Sequence, residues 1–279
     1  MARKDYALIT GAGKGLGKAF AEELAIRNYN VLLTALPGEN LETYCQYLSV
    51  KYSVDTDFIE CDLTEKEEIM RVVCWVKENY LLSVLINNVG IGGTAEFEKA
   101  EASLIDTIIQ LDIRATALFT HELLPLLRVN ESSWILNVSS MAAFTPLGYK
   151  TVYPASKDFV RFFSKGLYQE LKGTGVFVSV VYPGPMTTHF DSMRRIIKQG
   201  TIAKMSVLSA QYTAKKTIES LFKKRTHIII GKGNKFNRLL TRIVPVSLRC
   251  PMLTRIIWRE IKEEKQVGEA YESVGDRSK

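Results

Sequence analysis

The chain has 279 residues, 46% of them apolar and 24% charged, a balance that suits one large α/β domain and leaves little room for two. Four cysteines without CxxC spacing (Cys45, Cys61, Cys74, Cys250) and three scattered histidines (His121, His189, His227) argue against a disulfide framework or a zinc site, so reduced thiols, a cytoplasmic setting and no metal are expected. The net charge of +7 is unevenly placed: from Lys223 to Lys265 twelve Lys or Arg stand against three Glu, which loads the charge into a tail rather than along a nucleic-acid reading surface.

The opening MARKDYALIT is a short basic lead running straight into a strand-like stretch, too brief for the apolar core of a signal peptide. No segment reaches the roughly 18 apolar residues of a spanning helix. In chain order the strand candidates are YALIT (6–10), NVLLT (30–34), DTDFIEC (55–61), SVLINN (83–88), SWILNV (133–138), VFVSVVY (176–182) and HIIIG (227–231). Most are nearly continuous in apolar residues, as strands covered on both faces are. Amphipathic helical segments lie between them, the longest around 103–128 and 152–172. This alternation predicts a parallel sheet of about seven strands wound with helices on both faces, in one domain over 1–231. A basic, helix-prone extension follows over 232–279.

The first strand enters TGAGKGLG (10–17), whose glycines allow a tight turn and close approach to a pyrophosphate resting on a helix N-terminus. With a strand before it and a helix after it, the loop Gly11, Lys14, Gly15, Leu16, Gly17 is a dinucleotide-binding candidate. NAD-binding folds place an acid about twenty residues on, at the end of the second strand. Here Thr34, Ala35 and Leu36 stand there, while Lys14 can pair with a 2′-phosphate, so NADP(H) is favoured over NAD(H). Asp62 and Leu63 end the third strand, with Asp62 an acceptor for an adenine amino group. Asn88 and Gly90 end the fourth, where side-chain amides can tie neighbouring loops together.

YPASK (153–157) places a tyrosine and a lysine one helical turn apart. The same interval recurs at Tyr47 and Lys51, Tyr168 and Lys172, and Tyr212 and Lys216, so spacing alone selects nothing. Context does: Ser140 ends the fifth strand thirteen residues earlier, and Pro154 is tolerated only in a first helical turn, which sets Tyr153 at a helix N-terminus with Lys157 one turn deeper.

Together these motifs resemble the short-chain dehydrogenase/reductase (SDR) family. TGAGKGLG is similar to its TGxxxGxG loop, NNVG to its NNAG motif, Ser140 and YPASK to its serine and YxxxK pair, and YPGPMTT to its PG segment. The resemblance covers about residues 4–231 and implies a Rossmann-type fold and hydride transfer with NAD(P)(H). It implies Tyr153 as general acid/base, Ser140 as orienter of a substrate carbonyl and Lys157 as ribose ligand. It also implies that Pro183, Gly184 and Thr188 line the nicotinamide, and that a mobile substrate lid spans about 189–209. The physics agrees: a phenol titrating near about 10 is a poor proton shuttle at neutral pH, and a neighbouring ammonium favours its phenolate. One departure stands out. Where the family carries an asparagine 28 residues before the serine, this chain has Asp112, in QLDIRA. An ionised aspartate accepts but does not donate, so a water relay to Lys157 must be rearranged or Asp112 partly protonated; alternatively Asp112 bonds backbone groups at a helix irregularity.

The expectation is an NADPH-preferring enzyme interconverting a ketone and a secondary alcohol on a small hydrophobic, acyl-chain or lipid-like substrate. The alternative is a non-catalytic NADP-binding regulator or scaffold on the same fold. The tail, broken by Pro245 and Pro251, mixes aliphatic residues and Trp258 with cations at near-helical intervals. That pattern suits either peripheral contact with the inner membrane surface, or a subunit interface or flap over the cleft. A homo-oligomer, dimer or tetramer, is expected, and nucleic acid is not.

Overall fold

The computed structural model describes residues 5–186 and 207–275, in backbone only at residue 260 and from 263 on. Seven strands form one sheet: β1 (Tyr6–Thr10), β2 (Asn30–Ala35), β3 (Thr56–Glu60), β4 (Leu82–Asn87), β5 (Ser133–Val138), β6 (Val176–Val181) and β7 (His227–Ile228). Their order is β3-β2-β1-β4-β5-β6-β7 and every pairing is parallel. This is the Rossmann-type doubly wound sheet, whose order reverses between β1 and β4 and opens a crevice at the strands' carboxyl ends.

Period-two alternation within each strand feeds two cores. Ala7, Ile9, Val31, Leu33, Val84 and Ile86 face α1 (Gly15–Ala25), α2 (Leu41–Tyr52) and α7 (Ala210–Phe222), through Phe20, Leu24, Leu48 and Ile218. Leu8, Leu32 and Leu85 face the other way, onto Val72 and Val76 of α3 (Lys66–Asn79) and Phe119 and Leu123 of α5 (Thr116–Leu127). A third cluster seats α6 (Val152–Glu170) through Val160 against Val180 and Tyr182.

Several boundaries differ from expectation for physical reasons. The strand expected over 227–231 pairs only at His227 and Ile228, because it is an edge whose chain turns into a helix after Gly231 at φ +88°. β3, at the other edge, is only partly buried along its length, so its polar Thr56, Asp57 and Glu60 are accommodated. The long helix around 103–128 is three pieces: α4 (Ala102–Ile108), a π-helical stretch (Ile109–Ala115) carrying Asp112, and α5. The tail forms α8 (Lys232–Ile243) and α9 (Val246–Gly275), broken at Pro245 but not at Pro251. Pro251, in the second turn of α9, forfeits the bond its missing N–H would make and crowds the carbonyl one turn back, a cost the helix bears without a break.

The extension is seated on the domain. Gly148 N donates to Thr254 Oγ1 at 3.1 Å, and a Cβ at Gly148 would sit 2.5 Å from Thr254 Cγ2. Residues 189–206 of the expected lid, like Thr188, lie outside the described residues. Beyond them Leu208 bridges to Met186, and Ser209 Oγ caps α7 by accepting from Tyr212 N at 3.2 Å.

Candidate active site

The glycine loop is shaped by backbone, not side chains. Gly11 and Gly15 adopt φ +66° and +57°, in the left-handed region that favours glycine, and a Cβ at Gly17 would lie 2.1 Å from Gly11 O. α1 begins after Lys14 with no side-chain cap and no acid in its first turn, so its amide groups and positive dipole end face the crevice. Such an uncapped, glycine-walled helix end fits the diphosphate of a dinucleotide. Asn88 holds the opposite wall: its Nδ2 donates to Thr10 O (2.9 Å) and Gly11 O (3.0 Å), the loop-tying role expected of it.

The crevice encloses about 560 Å³, and every described residue assigned to the cofactor from sequence lines it, from Gly11 to Gly184, together with Ser140, Tyr153 and Lys157. Tyr153 is the second residue of α6 and Pro154 the third, so the missing amide falls in the first turn. Ser140 follows β5, and its Oγ accepts from Ala142 N at 3.1 Å, which holds the side chain while its O–H can still donate.

Lys157 and Asp112 form a buried ion pair behind this surface. Lys157 Nζ lies 3.2 Å from Asp112 Oδ1, with Asp112 fully buried and Lys157 nearly so. Asp112 also accepts from Ile91 N at 3.2 Å and from Ser156 Oγ at 2.5 Å. Three donors therefore converge on it: a backbone amide met from within an irregular helix, a serine hydroxyl and, directly, the Lys157 ammonium. Gly90 is the residue that permits this, since a Cβ there would stand 2.3 Å from Asp112 Oδ1 and 2.8 Å from Lys157 Nζ. Ser139 Oγ, donating to Lys157 O at 2.7 Å, pins the same turn of α6 to β5. Neither Ser139 nor Ser156 was singled out from sequence, although NVSS and YPASK contain them.

Two residues at the far end of the crevice alter the expected cofactor pocket. Lys14 Nζ donates to Glu39 Oε1 at 2.7 Å, and Glu39 lines the crevice beside Leu36. An acid is thus present near the second strand's end, displaced past the turn at Pro37 and Gly38, where a search at the strand terminus misses it. Asp62 Oδ1 accepts from Thr64 N (2.9 Å) and Thr64 Oγ1 (2.8 Å), shaping the turn into α3 while the residue still borders the crevice.

Comparisons with known proteins agree with this geometry. The family model described as short chain dehydrogenase matches residues 5–197. Hydroxysteroid dehydrogenase-like protein 1 of Gallus gallus is 32% identical over 193 residues, covering 68% of this chain and 58% of that protein. Very-long-chain 3-oxoacyl-CoA reductase of Anas platyrhynchos is 33% identical over 198 residues, 68% of this chain and 62% of that protein, so the match spans about three fifths of these relatives' length. Among solved structures, the bulky-bulky ketone specific alcohol dehydrogenase from Comamonas testosteroni superposes with a TM-score of 0.73 at 26% identity, covering 85% of this chain and 91% of that one. With the glycine loop, the serine and the tyrosine–lysine pair gathered at one sheet edge, and a family match over most of its length, this chain belongs to the short-chain dehydrogenases, a family of oxidoreductases.

Proposed function

We propose that the protein interconverts a ketone and a secondary alcohol on a hydrophobic, lipid-like substrate with NADP(H) as preferred cofactor. The observation that carries this reading is that Ser140, Tyr153 and Lys157 open onto the same crevice as the glycine loop. A bound nicotinamide cofactor supplies or takes up the hydride. Ser140 Oγ–H donates to the substrate oxygen and stabilises the charge developing there. Tyr153 passes its phenolic proton to that oxygen in reduction and takes it back in oxidation. Lys157 binds the cofactor's ribose, held in place by Asp112 and by Ser139. The names of the two relatives, a hydroxysteroid dehydrogenase-like protein and a very-long-chain 3-oxoacyl-CoA reductase, support an apolar substrate.

For the cofactor, Lys14 favours a 2′-phosphate and Glu39 opposes it. Glu39→Gln should therefore raise the ratio of NADPH to NADH efficiency, as measured by kcat/KM with each; an unchanged ratio removes Glu39 from the pocket. The assay for the function itself follows loss of NADPH with ketones of graded chain length. Binding of NADPH without turnover on any of them would favour the scaffold reading. Exposed Phe236, Leu239, Ile243, Leu248 and Met252, set among Lys235, Arg242 and Arg255, support contact with an anionic membrane surface, which liposome flotation tests. Among the described residues no helix is long and apolar enough to cross a membrane. The homo-oligomer is tested by light scattering of the purified chain.

A further inference from the structure

The segment after Ser140 borders a second cleft, of about 590 Å³, whose walls include Phe144, Thr151 and Pro154 from the catalytic side and Arg161, Arg238 and Arg249 from α6, α8 and α9. Its lining holds three guanidinium groups and one carboxylate, Asp158, which already pairs with Arg161. Arg238 lies over the Phe144 ring at 3.9 Å, with Arg161 at 5.8 Å from the same ring. Arg249 is the informative member: its Nε and Nη1 are shielded from solvent and have no hydrogen-bond partner among the described residues. Buried charged donors left unmade are costly, and a turn of the Arg249 side chain into the cleft would let an anion there relieve that cost. Further cations lie within electrostatic reach of these arginines. Burial, then Arg161 and Arg238, hold the Lys165 ammonium below its ordinary range, and burial, then Arg242, Arg161 and Arg249, act likewise on Arg238.

Three planar forks lining one cleft match the oxygens of phosphate or pyrophosphate, which guanidinium groups bind through paired hydrogen bonds. Pro154 directly follows Tyr153 and lines this cleft, while Tyr153 lines the crevice. The geometry points to a phosphate-binding site for the substrate itself: a carbonyl-bearing apolar chain at Tyr153 with its phosphorylated head among Arg161, Arg238 and Arg249. The carbonyl end presupposes the reductase reading above; the phosphate end does not. Two sources share this chemistry, a coenzyme thioester and a phospholipid.

The test uses the full chain with saturating NADP⁺, so that nucleotide binding in the crevice is not counted. Calorimetry with coenzyme A, dihexanoyl phosphatidate and inorganic pyrophosphate should show binding that weakens at least about tenfold in the R238Q/R249Q double variant, with Arg249→Lys in between. The better of the two carriers identifies the source. Pyrophosphate should raise the melting temperature of the wild type and not that of the double variant, as expected of a ligand that binds only the folded state. Without anion the single Arg249→Gln variant should melt no lower than the wild type, because it loses an uncompensated cation. Equal binding of all three probes to wild type and double variant would overturn the site, and so would a lower-melting Arg249→Gln variant whose wild type ignores pyrophosphate. Pyrophosphate binding that neither carrier improves on would overturn the substrate assignment. Coenzyme A binding intact in a protein that oxidises NADPH with no ketone would sink the reductase reading and leave the cleft standing.

Discussion

The crevice and the arginine cleft handle buried charge in opposite ways. In the crevice Lys157 is neutralised from within the fold, by a carboxylate that itself takes two further hydrogen bonds. In the cleft Arg249 carries two shielded donors with no internal partner among the described residues, and its neighbours repeat its sign. An internally paired charge holds a geometry before any ligand arrives, whereas an unpaired one stores affinity for a counter-ion. Shape and position thus belong to the first region, and recruitment to the second.

The largest effect expected is on turnover. Tyr153→Phe should lower kcat by about 10²- to 10⁴-fold with cofactor binding retained, read by steady-state kinetics beside a cofactor titration. Full activity would detach proton transfer from this residue and leave the crevice as a binding site only. Next comes the ion pair: Asp112→Ala leaves Lys157 buried and unpaired, and should cost about 3–5 kcal/mol of stability in denaturant unfolding. If it costs no more than an exposed pair, the contrast between the two regions fails. Gly90→Ala probes the same pair sterically, and should destabilise by about 1–3 kcal/mol, since its methyl group must displace Asp112 or Lys157.

The smallest effect concerns His227, whose Nδ1 meets Tyr182 Oη at 3.0 Å at the edge of the arginine cluster. Partial burial, then Lys165, Arg161, Arg238 and Arg242, hold its imidazole below the ordinary 6.5. The unfolded chain therefore binds this proton at a higher pH than the folded one, so the His227 contribution is fully present above about 6.5 and declines as pH falls below it. The decline should level off once the folded state is protonated as well. His227→Gln should flatten that part of a stability profile, and an anion bound among the arginines should shift the folded-state titration back upward.

The legibility of the sequence divides along the same line. The strands before Tyr182 were readable to within a residue or so because period-two burial on both faces leaves apolar runs that little else produces. The glycine loop, Ser140, Tyr153 and Lys157 were readable because each is fixed by its distance from a strand end or from Pro154. Glu39 was missed because its approach to Lys14 depends on how the chain turns at Pro37 and Gly38, not on strand spacing. The π-helical stretch was legible only as a long helix, since its bonding irregularity leaves no mark in the apolar periodicity around Asp112.

The order of motifs along the chain was enough to determine the strands, the glycine loop and which side chains line the crevice beside it, because each is set by its place within one strand–turn–helix unit. The sharing of one carboxylate by Lys157, Ser156 and Ile91 was decided only by tertiary packing, which brings the segments after β4, before α5 and within α6 together. The arginine cleft was decided the same way. Its cations, read along the tail, look like a solvated charge run, and only the seating of α9 on the Gly148 loop turns Arg249 inward beside Arg161, where loss of water makes its unmet hydrogen bonds matter.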